Sequence, residues 1–216
     1  VNRVKHTNCH LLFMLLLAMF FLPKSALSDQ TDNAKFRLLV LGDSLSAGYG
    51  LMQAQSWVTL LQNAWQEHGI EVVNAAISGE TSDGALARLP RLIEQHNPSH
   101  ILVELGGNDG LQGHPVPKLK ANLAAIIEYA QQHQVKVILQ QMQIPTNYGK
   151  RYTQMFTQSY ASLADTYNIP MLPFFLEQVA LNPALMQKDG IHPNADAQPQ
   201  IAVWMQQHLQ PLIQAE

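Results

Sequence analysis

A chain of 216 residues, 47% hydrophobic and 13% charged, has the proportions of one globular domain with a full core. Its formal charge is −3 with no basic cluster, which excludes nucleic acid as a partner. The single cysteine, Cys9, excludes an internal disulfide.

The first 28 residues stand apart from the rest. They carry Arg3, Lys5 and Lys24 but no acid, and Leu11 to Leu22 is an unbroken apolar run too short to span a bilayer comfortably. Ala26-Leu27-Ser28 offers small residues at the two positions a signal peptidase reads. This pattern predicts a secretory leader cut after Ser28, with an uncleaved membrane anchor as the alternative. Losing those three cations takes the formal charge from −3 to −6. The expected mature protein is one domain over residues 29–216, a monomer in the bacterial periplasm or outside the cell, with no stable membrane span.

Residues 29–35 read as a loose polar lead. Phe36 to Leu41 is a continuous apolar run of strand length, as a strand buried on both faces should be. Trp57, Leu60, Leu61 and Trp65 recur at helical spacing before Gly69, and Ile70 to Val73 forms a second strand. Thr81, Ser82 or Asp83 can cap a helix through Leu86, Leu89, Leu92 and Ile93, shaped by Pro90 and Pro98. Ile101 to Leu105 is the third strand, and Leu119, Leu123, Ile126 and Ile127 mark the next helix. Val135 to Leu139 gives the fourth strand, followed by a helix through Phe156, Tyr160, Leu163 and Tyr167. Met171-Leu172 is a short fifth strand, and Ile201, Trp204, Met205 and Leu209 line a closing helix. This alternation predicts an α/β fold, a five-stranded parallel sheet with helices on both faces. Ligands bind beyond the C-terminal ends of such strands.

Chemistry-bearing residues fall at that rim. Gly42-Asp43-Ser44-Leu45 breaks the first strand and presents one serine. A serine needs a base to become a nucleophile, and a capping role for Asp43 or Ser44 is compatible with one. The Gly-x-Ser-x-Gly elbow of the α/β-hydrolases is absent. Asp189 and His192 lie three positions apart on one predicted loop, so the carboxylate can orient the imidazole, and Pro193 restricts the backbone before it. Asn108, in Gly106-Gly107-Asn108-Asp109, can aim an amide at an oxyanion, and Gly79 lets a backbone N–H approach a substrate. No set of residues here has metal-ligand spacing.

These blocks resemble the SGNH, or GDSL, hydrolase family: Gly42-Asp43-Ser44-Leu45-Ser46, Gly79, Gly107-Asn108-Asp109 and Asp189-x-x-His192, in that order. The resemblance implies a flavodoxin-like three-layer sandwich with Ser44 as nucleophile, His192 as base and Asp189 as its orienter. The oxyanion hole would comprise the Ser44 and Gly79 backbone N–H groups and the Asn108 side chain. It implies hydrolysis of acyl esters and thioesters, lysophospholipids included, with no metal, nucleotide or redox cofactor. Leu111, Pro115, Ile144, Pro145 and Tyr148 follow the third and fourth strands and are expected to wall an acyl groove. The alternatives are a short-chain arylesterase or carbohydrate acetylesterase on the same site, or a non-catalytic periplasmic binding protein whose Gly-rich loop cradles an anion.

Overall fold

The structure, a computed structural model, describes Val1 and residues 35–177 and 179–215. The chain divides into two units, residues 1–33 and 34–216, and every element below belongs to the second. The expected leader lies, Val1 apart, outside the described residues. No described helix is long and apolar enough to cross a membrane.

Strands β1 (Phe36–Gly42), β2 (Ile70–Asn74), β3 (His100–Glu104), β4 (Lys136–Gln140) and β5 (Met171–Leu172) form one sheet in the order β2-β1-β3-β4-β5. All four pairings are parallel. The chain steps one way from β1 to β2, then reverses and runs β3, β4, β5 on the other side. Right-handed crossovers therefore put the first connecting helix on one face and the later ones on the opposite face. Accordingly α2 (Trp57–Trp65) packs with α7 (Gln198–Gln214), while α3 (Ser82–His96), α5 (Val116–Gln132) and α6 (Lys150–Tyr167) pack in series. Two short helices, α1 (Ser44–Ala47) and α4 (Gly107–Leu111), follow β1 and β3 directly. This is the expected α/β architecture, a five-stranded parallel sheet between two helical layers.

Burial follows the apolar runs. Leu38 to Leu41 and Ile101 to Val103 are fully buried, because central parallel strands are covered on both faces. Helix α2 turns Trp57, Leu61 and Trp65 inward, and Gln198 at the start of α7 accepts a hydrogen bond from the Trp57 N–H at 2.9 Å. Thr81 caps α3 through the Gly84 N–H. Pro90 is accommodated inside that helix rather than ending it, and Asn97 closes it in a left-handed conformation just before Pro98.

Gly42 marks where the sheet becomes a site. A Cβ there would lie 2.5 Å from Glu104 Oε2 and 2.9 Å from Ser46 Cβ, so only glycine lets β1 pass this side chain. Gly42→Ala is expected to lower stability by about 1–3 kcal/mol, the usual cost of overpacking; urea denaturation of the purified variant measures it.

Candidate active site

After Gly42 the backbone turns at Asp43, which is 2% exposed and caps α1 by accepting the Leu45 N–H at 3.0 Å. Ser44 thus occupies the first position of a helix, where the backbone N–H is an unsatisfied donor. Its side chain opens into a cleft at the rim of the sheet.

The loop after β5 brings the imidazole. Gln187 donates its N–H to the His192 carbonyl at 2.8 Å, and Met186 bridges Pro193, so residues 187–192 close into a tight turn. Inside it Asp189 Oδ1 accepts the Ile191 and His192 N–H groups at 2.9 and 3.0 Å. Its Oδ2 lies 2.7 Å from His192 Nδ1, and His192 Nε2 lies 2.8 Å from Ser44 Oγ. A carboxylate on Nδ1 fixes the proton there and leaves Nε2 to accept from the hydroxyl. Desolvation pushes the Asp189 carboxyl up, but the hydrogen bonds from His192 and Ile191 outweigh it and bring it down to about 2. Asp189 is therefore ionised throughout the neutral range.

Two residues outside the sequence reading brace this histidine. The Tyr49 ring lies over the imidazole, centroids 4.5 Å apart and planes at 35°. Gln187 Nε2 donates to the Tyr49 carbonyl at 2.8 Å and to the Pro193 carbonyl at 3.1 Å, tying the histidine loop to the serine loop. The only sequence signal for Tyr49 is its place in the small-residue turn after Ser44.

On the opposite wall, Gly79 sits in a turn closed by the Glu80 N–H on the Ile77 carbonyl, with φ of +82° that a side chain would strain. Arg88 on α3 holds the turn, donating to the Ala75 carbonyl at 2.9 Å and pairing with Glu80 at 2.6 Å. Asn108 on α4 donates from Nδ2 to the Glu80 carbonyl at 2.9 Å and, at 3.4 Å, to Asp43 Oδ2. Ser44, Gly79 and Asn108 all line the cleft that also holds His192. The neighbouring Asp109 is buried and faces away, accepting both the N–H and the hydroxyl of Ser82 at 2.9 and 2.6 Å. That carboxylate anchors α3 by its N-terminus.

Beneath these groups lies a second carboxyl that sequence reasoning passed over as the end of an apolar strand. Glu104 is fully buried and accepts the Ser46 hydroxyl at 2.6 Å and the Asp43 N–H at 3.2 Å, both on Oε2. Burial, then the charge of Asp43, pushes Glu104 well above the ordinary carboxyl range. Burial likewise raises Asp43, offset in part by the Leu45 N–H and by a hydrogen bond with Glu104, to about 6.

The cleft has a volume of about 630 Å³ and is walled largely by apolar side chains, among them Leu111, Met142, Ile144, Pro145, Phe174 and Leu176. Leu111, Ile144 and Pro145 stand where the groove was expected, but Pro115 and Tyr148 do not. Pro115 is exposed and caps α5, since a proline before a helix is best used as its entry. Tyr148 lies outside the lining and spends its hydroxyl on the Leu111 carbonyl at 2.8 Å, joining the two loops. Met142, Phe174 and Leu176 were missed because strand ends and loops give no periodicity from which to read a wall. Among the described residues no group of three or more His, Cys, Asp or Glu is placed to hold a metal ion.

A hydroxyl, an imidazole and a carboxylate in one hydrogen-bonded line, set at the rim of a parallel sheet and beside candidate oxyanion donors, define a serine hydrolase. The chain belongs to the GDSL-like lipase/acylhydrolase family, whose model matches residues 40–198. It is 47% identical to the thioesterase 1/protease 1/lysophospholipase L1 of Escherichia coli strain K12, over 94% of this chain and 93% of that one. It is 44% identical to an arylesterase of Vibrio mimicus, over 91% of this chain and 96% of that one. The fold also matches the psychrotrophic esterase EstA of a Pseudoalteromonas species, solved as a structure inhibited by monoethylphosphonate. That match has a TM-score of 0.81 and 43% identity, covering 83% of this chain and all of that one.

Two outcomes follow from the geometry. Asp189→Asn keeps the shape of the loop but removes the charge that orients His192, so kcat should fall by up to about 10⁴-fold, measured on any ester the wild type turns over. Ile144→Ala widens the cleft and should shift the preferred acyl length upward; an unchanged preference across an ester series would remove Ile144 from the wall.

Proposed function

We propose that the protein is a serine esterase that hydrolyses acyl esters and thioesters, lysophospholipids among them, through an acyl-serine intermediate. The observation that carries this reading is the 2.8 Å approach of His192 Nε2 to Ser44 Oγ at the mouth of an apolar cleft, with Asp189 behind the imidazole at 2.7 Å. Ser44 Oγ attacks the acyl carbonyl carbon while His192 Nε2 takes its proton, and the carbonyl π pair moves onto oxygen. The Ser44 and Gly79 N–H groups and Asn108 Nδ2 face that oxyanion, each such donor being worth about 3–4 kcal/mol of barrier. Collapse of the intermediate breaks the bond to the alcohol or thiol, which leaves with the proton from His192. A water then repeats the sequence on the acyl-serine and restores the free hydroxyl. Asp189 stays ionised and stabilises the transient imidazolium.

The substrate class rests on the cleft and on the relatives. An apolar wall suits an acyl chain, and the names of the E. coli and Vibrio mimicus relatives, thioesterase, lysophospholipase and arylesterase, all describe acyl transfer to water. We further place the working enzyme outside the cytoplasm as residues 29–216, on the leader-like composition of residues 1–28. N-terminal sequencing of the exported protein locates the cut.

The decisive experiment is kcat/KM of the mature protein on p-nitrophenyl esters from acetyl to palmitoyl. Each buried methylene contributes about 0.8 kcal/mol, so kcat/KM should climb up to about fourfold per methylene until the cleft is full. A maximum at acetyl or butyryl would instead assign a short-chain arylesterase or acetylesterase. Ser44→Ala should abolish turnover and labelling by a fluorophosphonate while leaving the circular dichroism spectrum intact. Wild-type turnover in that variant would overturn the proposal.

A further inference from the structure

Asn108 Nδ2 is already engaged in the free protein, with the Glu80 carbonyl on one side and Asp43 Oδ2 on the other. The bond to Asp43 is the longer, 3.4 Å against 2.9 Å, so it is the one an oxyanion can displace. How firmly Asp43 holds the amide depends on where its own carboxylate stands and on the charge it carries.

Glu104 controls both. It enters from the last residue of β3, beneath Gly42, where no Cβ blocks it. Both of its donors, the Ser46 hydroxyl and the Asp43 N–H, fall on Oε2. Oε1 is buried with no hydrogen-bond donor against it. An ionised Glu104 would leave that oxygen bare, a costly state, beside a second carboxylate. A protonated Glu104 turns that oxygen into a donor, and the carboxyl group packed against it is Asp43, whose own N–H already lies on Oε2 at 3.2 Å. The other groups that bear on the pair do not compete for this proton. His192 faces Asp43 across the cleft and Asp109 is spent on Ser82, while the buried Tyr160 hydroxyl donates to the Leu105 carbonyl at 2.8 Å.

We propose that Glu104 is a positioning residue that carries the single proton of a buried Glu104–Asp43 pair and, by donating it to Asp43, sets that carboxylate as the cradle that aims Asn108 at the oxyanion. The step is a hydrogen bond, not a proton transfer: the proton stays on Glu104 throughout turnover. As the oxyanion forms, Asn108 exchanges its long bond to Asp43 for one to the substrate oxygen. The donor from Glu104 then stabilises the carboxylate that has been released. Asp43 thereby both orients the amide and yields it cheaply. Burial shifts both acids upward, which agrees with a proton held within the pair.

The proposal rests on Asn108 acting as an oxyanion donor, and its test separates the two. In wild-type protein carrying ¹³C at glutamate Cδ, the Glu104 resonance, assigned by its loss in Glu104→Gln, should keep the shift of a neutral acid from pH 5 to pH 9. Titration in the ordinary glutamate range would overturn the proposal whatever the enzyme's activity. Kinetically, Glu104→Gln reproduces the shape and donor of the neutral acid, so kcat should remain within about threefold of wild type. Glu104→Leu removes the donor and should lower kcat by about tenfold or more at unchanged KM, a fraction of the 10²–10³ lost with a whole oxyanion donor. Equal losses in the Gln and Leu variants would mean the ionised carboxylate is needed, and wild-type kcat in the folded Leu variant would mean no positioning role. Either result overturns the proposal. If Glu104→Leu does not fold, the carboxyl resonance and the Gln variant still decide it.

Discussion

The rim of this protein depends on a reversal in the sheet. The chain lays β2 on one side of β1 and β3 on the other, so the loops after β1 and β3 diverge to opposite faces and leave a crevice between them. Ser44 and Asn108 both reach that crevice, one from the segment after each strand. The loops after β2 and β5 supply Gly79 and the Asp189–His192 turn from the flanks. Four separate segments reach one point without any long-range feature being asked of the sequence except strand order.

What the sequence made legible was whatever has a period or a fixed chemical pattern. Buried central strands read as unbroken apolar runs, and helices such as the one through Trp57, Leu61 and Trp65 read by spacing, so fold and connectivity were accessible. Ser44, His192 and Asp189 were accessible because a nucleophile implies a base and a base implies an orienter. Strand limits moved by a residue: β1 runs on to Gly42, β3 begins at His100 and β4 at Lys136, because pairing with neighbours, not hydropathy, sets where a ladder ends. Pro115 and Tyr148 were misplaced in the wall for a related reason. Adjacency to a strand end fixes a residue to within a loop, while its direction depends on partners elsewhere, here the start of α5 and the Leu111 carbonyl. Glu104 was hidden because a lone acid at the end of a buried strand has no pattern to announce it; its partners, Asp43 and Ser46, are nearly sixty residues away or more.

The site combines a rigid half with a lightly supported one. Asn108 and Asp109 rise from the most buried strand, with α3 tethered to them through Ser82 and the Gly79 turn tethered through Arg88. The histidine loop has no such foundation. Asp189 is over a third exposed, and the loop is held by its own turn, the Met186–Pro193 bridge and the Gln187 strut to Tyr49. Oxyanion donors must stand where charge will develop before it does, since their worth lies in not having to reorganise. The imidazole needs only to keep its tautomer and its reach, which two hydrogen bonds to one carboxylate and the tilted Tyr49 ring can supply. Under the proposed mechanism, rigidity is placed on the side of the reaction that needs it.

This division gives the two carboxylates of the site different tasks through different solvation. Asp189, hydrogen-bonded and near water, is held down to about 2 and so stays charged beside the His192 imidazole. Asp43, buried against another acid, is raised to about 6 by that burial, with the Leu45 N–H chief among the contacts that oppose the rise. A strongly basic carboxylate there would hold the Asn108 amide too well and oppose the oxyanion; a neutral acid would release its aim. A carboxylate whose charge is shared with a buried neighbour lies between these limits. The same glycine that admits Glu104 beneath β1 thus links the close packing of the sheet to the freedom of one amide hydrogen at its edge.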